Sequence, residues 1–418
     1  MAAAISIFPR SVGVGRSAMQ RAIFAAFLMS LTWGTMLTQV SGSMFVFLGK
    51  PLCGYVWVLQ GAFAALALAL CRKGPITFPV LAWLPWLVWI AIRCDFGDFG
   101  TAQRTIMLLA APFVGMAASA VIVRREDLAW LLGAFRIIVP VSAVLFLAFQ
   151  LRLLPTGIWV GGAAGIMTLC LAGSYCAPYV YEGRLKYVLM WLCCVAVCAF
   201  SGGRMATATS ISTLPLSPAR KPLSSRVFLS VVAAALALVV FSLPHMEEKM
   251  SRSGTATPME IMENPDDLYD SGRSGMWEAY WDEAWKTPVF GAGGNASNYF
   301  GASIAGWAHP HNEYLRVFFD YGILGLLLLG APMGYTLIYT HRAIRAASDR
   351  VLRDAWTVSC GGLISMLLLA ITDNVILYVA FFGCLLFGIL GAAHGVEATE
   401  GQAELVRRSL ARKATGSV

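Results

Sequence analysis

A chain of 418 residues that is 58% hydrophobic and only 13% charged lies far from the soluble globular norm of about 25% charged residues. Its mean hydropathy of +0.68 points the same way and excludes a string of water-soluble domains. The formal net charge of +8 is dispersed over short loops between apolar stretches, which reads as a membrane topology signal and argues against a nucleic-acid surface.

Apolar stretches of about 17–25 residues, the length that crosses a hydrocarbon core, recur along the chain. Spans are expected at 22–40, 52–70, 77–92, 105–123, 129–150, 157–180, 186–201, 205–218, 226–244, 314–340, 355–373 and 376–393. Arg10, Arg16 and Arg21 precede the first run as in a signal peptide, but the many later spans favour an uncleaved first helix. The segment 205–218 is short, polar and interrupted by Pro215, so a re-entrant or broken passage is the alternative there. Most of the ten cysteines fall inside apolar segments, where Cys behaves as a small hydrophobe. With none in the longest polar loop and no CxxC motif, no disulfide framework is expected.

With the N-terminus inside and the spans alternating, 20 of the 31 lysines and arginines fall on the inside and 9 outside, with Arg136 and Arg316 within spans. The bias requires 205–218 to cross; otherwise the basic clusters 342–353 and 407–413 land outside. The expectation is an all-α polytopic membrane helix bundle of about 12 transmembrane helices, a single integral membrane domain over 1–418 with both termini in the cytoplasm. Within it, 245–313 forms one large periplasmic loop containing short amphipathic helices, irregular from Met246 to Asp270 and more ordered beyond.

The ordered part of that loop carries the candidate chemistry. Trp277, Trp281 and Trp285 are spaced to share one helix face, with Arg273 one turn earlier and Pro288 ending the helix. An amphipathic helix at headgroup level accounts for the tryptophans. An arginine at a helix N-terminus adds a phosphate-binding feature, because free N–H groups and the dipole already favour an anion there. Gly291, Gly293 and Gly294 follow, without the Lys-Ser or Lys-Thr of a nucleotide loop, and read as a tight turn.

The run His309-Pro310-His311-Asn312-Glu313-Tyr314-Leu315-Arg316 then opens the next helix. His309 and His311 form a His-x-His pair, but no other close Cys or His in the loop completes a zinc site, so no metal is expected. Two histidines, Asn312, Glu313 and Arg316 at a membrane boundary point to a site. Arg204, at the outer end of the 186–201 span, either snorkels to the surface or faces a partner or cavity. In the alternating topology Arg204, Arg273, His311 and Arg316 all lie at the outer face.

Read together, Gly272-Arg273, Trp277, Pro288, Gly291-Ala292-Gly293, His309 to Leu315 and Tyr321-Gly322-Ile323-Leu324-Gly325 resemble the core of the O-antigen ligase and polymerase superfamily. Ser201-Gly202-Gly203-Arg204 resembles that family's earlier Ser-x-Ser-Arg element, with Gly203 where a Ser usually stands and a polar segment where a long apolar helix usually follows. The close match covers about 55 residues, and the twelve-helix layout extends it over the chain. The resemblance implies a metal-independent inverting glycosyltransferase of the bacterial inner membrane, with its active site facing the periplasm and no cofactor. The donor it implies is a glycan on undecaprenyl diphosphate. The acceptor is a sugar hydroxyl, on lipid A-core for a ligase or on a second lipid-linked glycan for an O-antigen or exopolysaccharide polymerase. His311, directly before Asn312 as in the family, is then the general base. Arg273 and Arg204 hold the donor diphosphate, with Arg316 assisting and His309, Asn312 and Glu313 in support. Such chemistry suits the residues, because fixed arginines can stabilise a departing diphosphate and histidine titrates near working pH. A lipid-linked oligosaccharide flippase is the rival class, but transporters favour charges near the midplane and repeated halves; here the candidates gather at one face and no repeat is visible.

Overall fold

In the computed structural model the described residues are 16–42, 46–47, 50–154, 158–160, 163–219, 221–251, 258–264, 273–305, 310–378 and 382–414. They form an all-α bundle. Its helices are α1 (Ala18–Met29), α2 (Thr35–Leu37), α3 (Val56–Leu70), α4 (Val80–Ile92), α5 (Phe99–Val121), α6 (Arg125–Gly133), α7 (Phe135–Gln150), α8 (Ala163–Val180) and α9 (Leu185–Phe200). The second half adds α10 (Arg204–Ser212), α11 (Leu223–Phe241), α12 (Pro244–Met250), α13 (Pro258–Glu263), α14 (Arg273–Ala284), α15 (Ala296–Ala305), α16 (Glu313–Ala346), α17 (Arg350–Leu369) and α18 (Cys384–Ala414). The only extended pieces among the described residues are two short antiparallel ribbons, Val40–Gly42 against Ile158–Val160 and Val46–Phe47 against Lys50–Pro51.

Every expected apolar segment carries helix. Among the described residues, five helical stretches are long and apolar enough to cross a membrane: Phe99–Val121, Arg125–Gln150, Leu223–Phe241, Glu313–Ala346 and Arg350–Leu369. Shorter apolar helices include α3, α4 and α9. Apolar side chains left on the outside, such as Leu81 of α4 and Phe228, Val231 and Val239 of α11, are what a lipid-facing surface requires.

Three local expectations change. The stretch 246–270 is not wholly irregular: α12 and α13 lie in it, each opening on a proline (Pro244, Pro258), a residue pre-set for the first helical position. The last helix starts later than 376 and continues through the basic residues 407–413, a stretch rich in Ala, Glu and Arg, which are strong helix formers. The helix expected over 205–218 stops at Ser212 and gives way to turns. Even so, 204–219 links the two ends of α9. At one end Arg204 Nη1 donates to Lys249 O (2.7 Å) and His245 Nε2 lies 3.0 Å from Ala199 O. At the other, the Tyr181 hydroxyl donates to Leu214 O (3.0 Å) and Arg226 Nη2 to Ala219 O (2.7 Å).

The centre of the bundle is the crossing of α5 and α18. Small residues allow it: a Cβ on Gly391 would collide with the backbone of Gly115, so the two helices touch main chain to main chain. Such small-residue seams are a standard means of joining membrane helices, where hydrophobicity gives no preference for helix over lipid. α3, α4, α6 and α17 pack against this seam, α8 and α16 join through α17, and α16 and α17 carry the region described next.

Candidate active site

α14 lies along the start of α16. Its Met276, Tyr280 and Ala284 are buried against Leu315, Phe318 and Phe319, while Trp281 packs tilted and Trp285 edge-on against Phe318, with ring centroids 5.4 and 5.5 Å apart. The Tyr280 hydroxyl donates to Ser297 O (2.7 Å), and burial pushes its pKa up. α14 ends at Ala284, ahead of Pro288, so Trp285 continues the aromatic face from the turn beyond. Arg273 and Trp277 sit one turn apart on this helix. Arg273 Nη1 donates to Thr372 O (2.9 Å), and Trp277 Nε1 to Pro310 O (2.6 Å). One helix thereby clamps two loops, the 310–312 entry to α16 and the 370–374 exit from α17.

His311 stands between those loops. Its Nδ1 faces Asp373 Oδ1 at 3.5 Å, and both side chains keep some exposure, 24% and 13%. The backbone of His311 has φ +49°, the left-handed region that non-glycine residues seldom occupy and that tends to mark functional positions. Two bonds lock the conformation. Asn312 caps α16 by accepting from Leu315 N (3.0 Å), and Glu313 N donates to Ala370 O (2.8 Å). Asp373 Oδ1 also accepts from Asn374 N (2.8 Å). Asp373 was not singled out from the sequence, where it is the last residue of the expected span 355–373.

Glu313 and Arg316 occupy a different environment. Arg316 is 1% exposed. It pairs with Glu313 through Nε (2.9 Å) and Nη2, and with Asp320 through Nη1 (3.2 Å). Asp320 in turn accepts from Ser297 N (2.7 Å) and Oγ (3.1 Å) at the start of α15. The guanidinium expected to assist at the donor is thus enclosed by two carboxylates of its own helix, at i−3 and i+4, and acts on the site by holding α15 and α16 together.

Just beyond, α16 breaks. Gly322 adopts φ +70°, ψ −172°, a conformation essentially confined to glycine. The break strands backbone groups that a continuous helix would pair, and the Pro288–Gly294 loop supplies partners. Ala292 N donates to Phe319 O (2.8 Å) and Gly293 N to Asp320 O (3.0 Å), while Ile323 N donates to Pro288 O (2.8 Å) and Leu324 N to Val289 O (3.2 Å). A Cβ on Gly291 or Gly322 would run into the facing backbone. The glycine loop is therefore more than a turn: it is the mate of the α16 break. α4 and α5 brace it. Arg93 Nη2 donates to Gly291 O (2.7 Å) and Arg104 Nη2 to Asn298 Oδ1 (2.9 Å). Asp98, held down to about pH 2 by hydrogen bonds from Thr101 and Tyr299, ties α15 to the start of α5.

The structure brings together Arg273, His311 and Asn312, with Asp373 added. Arg204 is bound to Lys249 O of α12, on elements other than those carrying Arg273 and His311. His309 lies outside the described residues. Beside Asn312 an apolar groove of about 550 Å³ runs between α14 and α16, lined by Trp277, Trp281, Trp285, Tyr314, Phe318 and Leu326 among others. Asn312, next in chain to His311, and Trp277, one turn from Arg273, both line it.

The protein-family model described as O-antigen ligase matches residues 187–330. That stretch takes in Arg204, Arg273, His311 and Arg316 and stops short of Asp373. The comparison with curated proteins returned no match.

Proposed function

We propose, from the match of residues 187–330 to the family model described as O-antigen ligase, that the chain is a membrane glycosyltransferase that moves a glycan from an undecaprenyl diphosphate donor to a sugar hydroxyl at the periplasmic face of the inner membrane. The observation that supports this most is the convergence of Arg273 and His311 on the Thr372-Asp373 turn. In this reading His311 Nε2 takes the proton of the acceptor hydroxyl as its oxygen attacks the anomeric carbon. The bond from that carbon to the diphosphate oxygen breaks, and the diphosphate leaves with the electron pair. Arg273 and Arg204 meet its growing charge, so no metal is required. Asp373, facing Nδ1, fixes the imidazole tautomer and stabilises the imidazolium that forms, as the carboxylate does in acid–base triads. The groove beside Asn312 takes the prenyl chain. Arg204, Arg273, His311, Arg316 and the 245–313 loop then face the periplasm, within one integral membrane domain over 1–418.

Purified full-length protein supplied with a lipid-linked glycan and an acceptor should form product at a constant rate in EDTA. Absence of turnover with intact donor binding would leave transport as the better reading. The acceptor separates ligase from polymerase. A deletion strain that keeps long lipid-linked glycan but has unmodified lipid A-core indicates a ligase, the form favoured here, whereas accumulated single repeats indicate a polymerase. Alkaline phosphatase fused at residue 265 should be active, and at the C-terminus inactive.

A further inference from the structure

α17 measures the distance between two polar regions. Its C-terminal end leads into the Thr372-Asp373 turn, and its first residue is Arg350. At about 1.5 Å per residue, its 20 residues separate the two by about 30 Å, the thickness of a bilayer hydrocarbon core. The Arg350 end therefore lies at the opposite membrane surface from the candidate active site. A second cavity, of about 240 Å³, opens there, lined by Glu182, Lys221, Arg350, Arg353, Asp354 and Thr357 among others.

The charges in this cavity are unequally committed. Glu182 is held by Arg350 (2.8 Å) and Arg184 (2.9 Å). Asp354 accepts from the Tyr179 hydroxyl and faces Arg350 Nε at 3.8 Å, and the Arg350 guanidinium covers the Tyr179 ring at 4.6 Å. Both carboxylates are thus already matched. Arg353 donates to Ala347 O (2.8 Å), which consumes hydrogen-bond donors but none of its charge. The Lys221 side chain is half-buried and makes no hydrogen bond among the described residues, its charge reaching Glu182 only through space. A concave, net-positive pocket with one uncommitted ammonium calls for an anion. The surroundings specify what carries it. Leu185 and Leu223, in chain next to Arg184 and near Lys221, are 69% and 77% exposed, as side chains facing acyl chains would be. Basic pockets between membrane helices at a bilayer surface recognise anionic headgroups in this way.

We infer that this pocket seats the phosphate of an anionic phospholipid from the leaflet opposite the candidate active site, with Lys221 as the direct contact and Arg350 and Arg353 supplying the surrounding field. The test is native mass spectrometry of the detergent-purified full chain titrated with phosphatidylglycerol, with phosphatidylcholine as the uncharged comparison. Phosphatidylglycerol should bind in preference. Lys221→Gln should weaken it about fivefold, the amount expected for one cation near an anionic surface, and Lys221→Glu should weaken it further. Because Lys221 makes no hydrogen bond among the described residues and touches Glu182 only through its field, Lys221→Gln should keep the parent melting temperature. Lys186→Gln, an exposed lysine on the same surface outside the pocket, should leave binding unchanged. Equal binding of the two lipids, or equal losses for the Lys186 and Lys221 variants, would overturn the proposal. So would thermal protection by inorganic phosphate with none by phosphatidylglycerol, which would make the pocket's ligand a soluble anion.

Discussion

His311 and Asp373 lie 62 positions apart in the chain, yet Nδ1 of the one faces Oδ1 of the other at 3.5 Å. An imidazole with a carboxylate on Nδ1 presents Nε2 outward as the proton acceptor. Asp373→Asn keeps the shape but removes the charge that supports the imidazolium. Turnover should fall by roughly 10–10²-fold with KM for donor little changed, and the rate–pH profile should move. His311→Ala should cost roughly 10²–10⁴-fold, the usual value of base catalysis. An Asp373→Asn enzyme with normal kcat and an unshifted pH profile would remove the dyad from the mechanism.

Arg316 should prove a stability residue. Arg316→Met leaves Glu313 and Asp320 buried without their cation, an arrangement that costs about 3–5 kcal/mol when one partner of a buried pair is removed. The expected result is poor yield and a lowered melting temperature in detergent. A well-folded Arg316→Met protein that had lost only donor affinity would return Arg316 to the diphosphate.

Gly322→Ala should destabilise by about 1–3 kcal/mol from backbone conformation alone, and by more because the new methyl collides with Val289. Gly330→Ala on the same helix, where a Cβ meets open space, should be neutral. Thermal melting of the two variants side by side decides the matter; equal melting would mean that the break is not held by its loop.

The groove prediction uses chain length as a probe. Trp281→Ala removes one wall without touching Arg273 or His311. KM should rise several-fold for a donor with a full-length prenyl chain and stay constant for a short-chain analogue, with kcat unchanged for both. A uniform rise for both donors would place the prenyl chain elsewhere.

The sequence made the helical bundle legible because apolar length is a one-dimensional property, and every expected segment carries helix over at least part of its length. Arg273, His311 and Asn312 were legible because they are concentrated in one loop and match a motif. Asp373 was not, since nothing local distinguishes it and its meaning comes only from what α17 delivers it to. Arg316 was singled out for the diphosphate, and the structure pairs it with Glu313 and Asp320. The steps of three from Glu313 to Arg316 and four from Arg316 to Asp320 are the spacings of ion pairs along one helix, and that signal was present beside the motif. The partnership of Gly291 with Gly322 leaves no trace in spacing, because it is made through main-chain groups that every residue shares.

The clamp on the exit turn of α17 also sets an order of events in biosynthesis. Arg273 and His311 leave the ribosome well before Thr372 and Asp373, the residues that anchor them. Until α17 has been inserted and its end has emerged, α14 lacks its Thr372 contact and His311 lacks its carboxylate. A product truncated before Thr372 would lack both anchors, and nothing would then draw Arg273 and His311 to a common turn.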